Sequence, residues 1–140
     1  MSKRLLFAES DSTLAEIYSR YYSNHGYEVD TAQDVMECLE KLHKTDVLIL
    51  ELGLPRFGEY GADDVLSHIR THSQISDIPV VLVTSENSRE WLSRLAVPPV
   101  VECLQKPFRL AALLDVVRVA SRSQFYPACS RVGFSAATVG

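Results

Sequence analysis

Four short polar stretches of the chain could do chemistry: Glu9-Ser10-Asp11, Glu51, Thr84-Ser85 and Lys106-Pro107. Each follows an apolar run of strand length, so each stands where a strand hands over to a loop. A carboxylate is a nucleophile or a ligand for a hard cation, and a lysine is a compact positive charge with three donors. Taken singly, a polar residue after a strand needs no explanation, because loops meet water. Two acidic stretches, a hydroxyl and a cation that all follow strands are specific as a set even though each member is weak.

The elements that must position them are five β-branched or leucine-rich runs: Leu5 to Ala8, Tyr27 to Thr31, Val47 to Leu50, Val80 to Val83 and Val100 to Leu104. Patterns with helical spacing lie between and after them. These are Leu14, Ile17, Tyr18, Tyr21 and Tyr22; Val35, Cys38, Leu39 and Leu42; Ala62, Val65, Leu66 and Ile69; Leu92 and Leu95; and Leu110, Leu113, Leu114 and Val117. A strand-helix alternation repeated five times predicts an α/β fold: right-handed crossovers, a parallel sheet and helices on both faces. The first, third and fourth runs are continuously apolar, as strands covered on both faces should be. Tyr27-Glu28-Val29-Asp30-Thr31 alternates and is expected at an edge, outside the first strand. The predicted fold is a doubly wound five-stranded sheet of order 2-1-3-4-5 with five helices, in which ligands bind beyond the carboxyl ends of the strands. That geometry gathers the four polar stretches on one rim.

Composition bounds the rest. The chain has 140 residues, 46% apolar and 23% charged, with 14 basic against 18 acidic side chains and a net charge of −4. It fits one globular domain over 1–122 and a tail over 123–140 that holds one charge, Arg131, and is too short for an output domain. A mildly acidic chain has no clustered cations to release counterions from a phosphate backbone, so nucleic acid is not an expected partner. No run approaches the roughly 18 apolar residues of a membrane span, and Leu5 to Ala8 is too short for a signal segment. Cys38, Cys103 and Cys129 are odd in number and form no C-x-x-C, which agrees with a cytoplasmic location.

Residues 3 to about 122 resemble a response-regulator receiver domain of two-component phosphorelay signalling, with a flavodoxin-like fold. The matching stretches are Leu5-Leu6-Phe7-Ala8-Glu9-Ser10-Asp11, Gly26-Tyr27-Glu28-Val29, Asp46 to Pro55, Ile78 to Ser85 and Leu104-Gln105-Lys106-Pro107-Phe108. The resemblance implies an aspartate phosphoacceptor ending strand 3 and two acids after strand 1 that help hold Mg²⁺. It implies also that the strand-4 hydroxyl, here Thr84, and the strand-5 lysine, here Lys106 before Pro107, bind phosphate oxygens, and that an aromatic in strand 5 reports the change. This chain departs at three of those positions: the acceptor is Glu51, the second acid is Ser10 and the aromatic is Cys103.

The departures change the expected chemistry. One extra methylene moves the Glu51 carboxylate by up to about 1.5 Å, and a misplacement near 1 Å can slow in-line transfer roughly 10²-fold. Loss of the Ser10 carboxylate leaves Glu9 and Glu51 as a weak Mg²⁺ site at best, and no cofactor is expected. Asp11 is expected to cap the first helix instead. The longer Glu51 is expected to pair with Lys106, and Cys103 is too small to make an aromatic's rotamer excursion. The expected protein is an atypical receiver, not an enzyme, in which phosphorylation is uncoupled. It would act by binding a sensor kinase, another regulator or a second copy of itself as a homodimer. Trp91 is the residue expected on that interaction surface, since tryptophan is enriched at binding hot spots.

Two other readings compete. Phosphate could enter conventionally at Glu51 or on a neighbouring acid such as Asp11. Glu9-Ser10-Asp11-Ser12-Thr13 also resembles the D-x-D-x-T signature of haloacid-dehalogenase-type phosphatases, although Glu9 would then be the nucleophile and no paired acids follow Lys106. Two further groups are expected to be structural. His68 and His72 have a metal-ligand spacing but read as solvated surface, and Tyr18, Tyr21 and Tyr22 read as a helix packing on the sheet.

Overall fold

The computed structural model describes residues 2–85 and 93–122. Its strands are β1 (Arg4–Ala8), β2 (Glu28–Ala32), β3 (Val47–Glu51), β4 (Val80–Thr84) and β5 (Val100–Gln105). Its helices among the described residues are α1 (Ser12–Ser23), α2 (Val35–Lys41), α3 (Ala62–Thr71) and α4 (Leu110–Arg122), with a 3₁₀ turn over Leu42–Lys44. Residues 93–95 are also helical. The remainder of that predicted helix, with Leu92 and Trp91, lies outside the described residues, as does the tail over 123–140.

All neighbouring strands are parallel and the order is β2-β1-β3-β4-β5, as the hydropathy pattern predicts. The helices lie on both faces. Leu6, Ala8, Leu48, Leu50, Val80 and Leu82 point to a core closed by Val35 and Cys38 of α2 and by Val65, Leu66 and Ile69 of α3. The alternate residues Leu5, Phe7, Val47, Ile49, Val81 and Val83 point to a second core, closed by Tyr18 and Tyr22 of α1 and by Leu113, Leu114 and Val117 of α4. The central strands bury residues on both faces, and this is why they read as unbroken apolar runs. β2 is only partly covered, consistent with its edge position.

Three expectations need correction. Ile17 does not face the core: it is 43% exposed, and the buried stripe of α1 is Ala15, Tyr18 and Tyr22. The aromatic rings at 18 and 22 fill the space themselves, stacking on Phe7 with centroids 4.9 and 5.2 Å away, so the helix rotates to favour them over Ile17. The second strand begins at Glu28, not Tyr27, because Arg4 pairs with Glu28 in the β1–β2 register. Leu42 is buried from the 3₁₀ turn and not from α2 itself. The tyrosines are structural as expected, and the Tyr22 hydroxyl donates to the Leu110 carbonyl at 2.8 Å, tying α1 to the start of α4. No described helix is long and apolar enough to cross a membrane.

Candidate functional site: a lysine between two glutamates

Ala8 and Leu50 are partners in the β1–β3 register. The next residue on each strand is therefore a glutamate, and Glu9 and Glu51 leave the sheet side by side at its carboxyl end. Lys106 follows β5, two strands away from Glu51 and three from Glu9. Its backbone N–H donates to the Thr84 carbonyl at 2.8 Å, which fixes the chain, and its side chain reaches back across the strand ends. The ammonium donates to Glu9 Oε1 at 2.8 Å and to Glu51 Oε1 at 3.0 Å.

The second oxygen of each carboxylate is also engaged. Glu9 Oε2 accepts from the Asp11 N–H at 3.1 Å. Glu51 Oε2 accepts from both the N–H and the hydroxyl of Ser10, at 3.1 and 2.9 Å. Asp11 itself turns away to cap α1, its Oδ1 accepting from the N–H groups of Thr13 and Leu14 at 2.9 and 3.2 Å, as expected for an aspartate at that position. The three ionisable side chains of the cluster are 4% (Glu9), 16% (Glu51) and 20% (Lys106) exposed.

Burial and pairing pull the two acids apart. Burial pushes the Glu9 carboxyl above its ordinary range, the Glu51 charge adds to this, and the bonds from Lys106 and Asp11 only partly offset it. Glu51 is also desolvated, but its bonds from Ser10 and Lys106 prevail and hold it below that range. Lys106 loses hydration too, yet the two carboxylates raise its pKa. With all three groups ionised the cluster has a charge of −1. The Tyr18 phenol, buried beside the acids, is pushed up to about 12.

A family model described as the response regulator receiver domain matches residues 5–118. The chain belongs to that family. It is 30% identical over 110 residues to the two-component response regulator-like protein PRR73 of rice, a match covering 76% of this chain and 14% of PRR73. It is 28% identical over 120 residues to the chemotaxis protein CheY1 of Helicobacter pylori, covering 83% of this chain and 94% of CheY1. The chain thus spans a small part of the rice relative and nearly all of the chemotaxis protein. Among solved structures, the chemotaxis response regulator CheY4 of Vibrio cholerae superposes with a TM-score of 0.73 at 25% identity, covering 86% of this chain and 99% of that one. The receiver domain of Francisella response regulator 1452 has a TM-score of 0.75 at 20% identity, with 86% and 98% covered, and shows the shared fold.

The sites read from this receiver's sequence fall as follows. Glu9, Ser10, Glu51 and Lys106 meet directly, Asp11 enters through its N–H, and Thr84 is buried at the end of β4 and joined to Lys106 through its carbonyl. The Lys106–Pro107 peptide is cis. Cys103 is fully buried in the core between the sheet and α3, paired in register with Leu82. Trp91 lies outside the described residues. Two features escaped the sequence reading. Glu9, expected as a rim acid and a weak Mg²⁺ ligand but not as a partner of Lys106, is as close to it as Glu51 is, and the strand register was the signal for it. Glu102 is a buried acidic residue where the β4–β5 register shifts, hidden inside a run that reads as apolar.

Proposed function

We propose that this receiver is a protein-binding signalling module, not an enzyme, whose phosphoacceptor pocket is closed by its own ion pairs and whose conformation does not depend on phosphorylation. The observation that carries this reading is the Lys106 ammonium seated between Glu9 and Glu51. Every oxygen of the two carboxylates already accepts a hydrogen bond from the chain. Attack by Glu51 on a phosphorus atom competes with the bonds that orient its carboxylate toward Lys106 and Ser10, and its extra methylene must fold back to reach an in-line position.

The donor set also argues against Mg²⁺. That ion needs near-octahedral oxygen coordination and dehydrates reluctantly. Here the second acid of the pair is Ser10, which donates its hydroxyl proton to Glu51, and Asp11 is committed to the helix cap. The Lys106 ammonium supplies the positive charge between the acids. The residues as they stand do not fit Mg²⁺, and no step of the proposed function passes through it.

Receiver domains work through contacts with proteins such as kinases and regulators. On this reading the partner recognises a fixed arrangement of the rim and the helices around it, and a sensor kinase, another regulator and a second copy are the classes to screen. The test is incubation with acetyl phosphate and Mg²⁺ followed by intact-mass measurement. We expect no gain of a phosphoryl group, and an acid-labile gain of one would overturn the proposal. The Ser10→Asp/Glu51→Asp double variant restores the acid pair and the shorter acceptor, and it is expected to gain the phosphoryl group that the parent does not. Turnover of a generic phosphatase substrate by the parent would show that it is an enzyme after all.

A further inference from the structure

Away from the rim, α3 ends in two histidines. His68 and His72 stand four residues apart, and their rings stack with centroids 3.9 Å apart and planes 27° from parallel. His72 is exposed and His68 is half-buried. His72 is already extended, as the C-cap of the helix, yet its ring is held. Its Nδ1 lies 2.7 Å from the His68 carbonyl oxygen and 3.1 Å from Thr71 Oγ1. A carbonyl can only accept, so Nδ1 carries the proton, and in a neutral imidazole this leaves the lone pair on Nε2. An Nδ1–H bonded to a carbonyl is the arrangement that orients a metal-binding histidine and raises its basicity. Close stacking also disfavours a charge on both rings, and partial burial with the His72 charge lowers the pKa of His68.

We infer that His68 and His72 form a two-imidazole chelate for a borderline divalent transition metal, Cu²⁺, Ni²⁺ or Zn²⁺, with water filling the remaining positions. Imidazole suits these ions, and hard cations such as Mg²⁺ and Ca²⁺ are excluded by the nitrogen ligands. The stacked rings are a near-chelate. With the centroids 3.9 Å apart, one nitrogen of each ring converges on a metal about 2.0 Å away once one ring turns about χ2. No hydrogen bond holds the His68 ring among the described residues, so His68 turns while His72 stays in place. Among the described residues no group of three or more His, Cys, Asp or Glu side chains is gathered to hold a metal. Among the described residues the site is therefore bidentate, and its open positions favour ions that accept two cis imidazoles with water. Because α3 runs back along the parallel sheet, the pair lies at the opposite end from Glu9, Glu51 and Lys106. Between the histidines, Arg70 donates to the Pro98 carbonyl at 2.9 Å, so a bound metal would clamp the last turn of α3 where it meets that segment.

The test uses the full chain without a histidine tag, titrated with Ni²⁺ alone in a chelator-free buffer and followed by calorimetry and by the thermal midpoint. We expect one Ni²⁺ per chain and a midpoint that rises with Ni²⁺ concentration, as binding to the native state requires. His68→Gln and His72→Gln should each weaken binding by at least about tenfold, the lower end of what losing one supporting group does at a metal site. The His25→Gln/His43→Gln double variant should bind as the parent does. Circular dichroism checks that each variant is folded, which is expected because neither His68 nor His72 is buried in the core. The inference is overturned by a parent that does not bind, by either single variant binding as tightly as the parent, or by loss of binding in the His25/His43 variant.

Discussion

Two lysines in this protein each bridge a pair of carboxylates, and they do so under opposite conditions. At the sheet edge Lys41 donates to Asp30 at 3.1 Å and Glu37 at 3.3 Å, and Lys44 adds a second cation 3.3 Å from Asp30. That group is electrically neutral, two cations against two acids, and its acids are 23% and 42% exposed. On the rim a single cation faces two acids, one of them only 4% exposed. The pKa directions record the difference. Burial raises the Asp30 pKa, but Lys41, the Thr31 amide and Lys44 together outweigh it and hold Asp30 below its ordinary range, whereas Glu9, with a comparable lysine contact, is raised. The same contact is part-buried and charge-balanced at the edge, and on the rim it faces a more deeply buried acid with a second acid beside it, where desolvation outweighs the attraction.

The sharpest way to break this comparison is to remove each lysine. Lys106→Met leaves two carboxylates facing each other with no cation between them, and should cost about 3 kcal/mol at neutral pH in a urea titration. Equal losses for Lys106→Met and Lys41→Met would erase the distinction between the two sites.

The next effect separates the two rim acids by their pH dependence. Glu51 has a lowered folded pKa, so its contribution is present above the ordinary carboxylate pKa, about 4.3, and is lost as pH falls through the folded value. Glu51→Gln should therefore be destabilising at pH 7, by about 2 kcal/mol, and the deficit should shrink on acidification. Glu9 has a raised folded pKa, so stability present below about pH 4.3 is lost as pH rises through the folded value. The stability of Glu9→Gln relative to the parent should thus improve as pH rises across that window. Opposite slopes in urea titrations at a series of pH values are expected, and parallel slopes would mean that the acids are equivalent.

Ser10→Ala removes the hydroxyl bond to Glu51 but keeps the Ser10 N–H, and should cost about 1 kcal/mol. The smallest effect is expected for Lys41→Met, at or below about 1 kcal/mol. Added salt should reduce it further, since the half-exposed Glu37 and Lys44 of that group are screened, and should change the Lys106→Met loss less.

Much of the protein is legible in its sequence, and the reasons are local. Val47 to Leu50 and Val80 to Val83 are apolar without a break because both faces of their strands are covered, and the alternation of β2 marks its edge. Asp11 is readable as a cap from its place one residue before α1. Legibility fails where packing competes. Ile17 fits the helical period as well as Tyr18 does, and only the fit of the rings against Phe7 decides which one faces the core. Glu102 is hidden because the shift in β4–β5 register belongs to a pair of strands and not to either one alone.

The sequence by itself determined the strand order, the gathering of acids, hydroxyl and lysine on one rim, and the three departures at Ser10, Glu51 and Cys103. The first two follow from hydrophobic period and residue type, which are properties of short windows, and the departures follow from the resemblance to receiver domains. Only the tertiary structure decided that Lys106 holds Glu9 as well as Glu51, that the Ser10 hydroxyl turns toward Glu51, and that the two acids shift in opposite directions. The physical reason is distance. Residues 9, 51 and 106 are remote in the chain, and charge interactions and desolvation depend on separations of a few ångströms that exist only once β1, β3 and β5 are parts of one sheet.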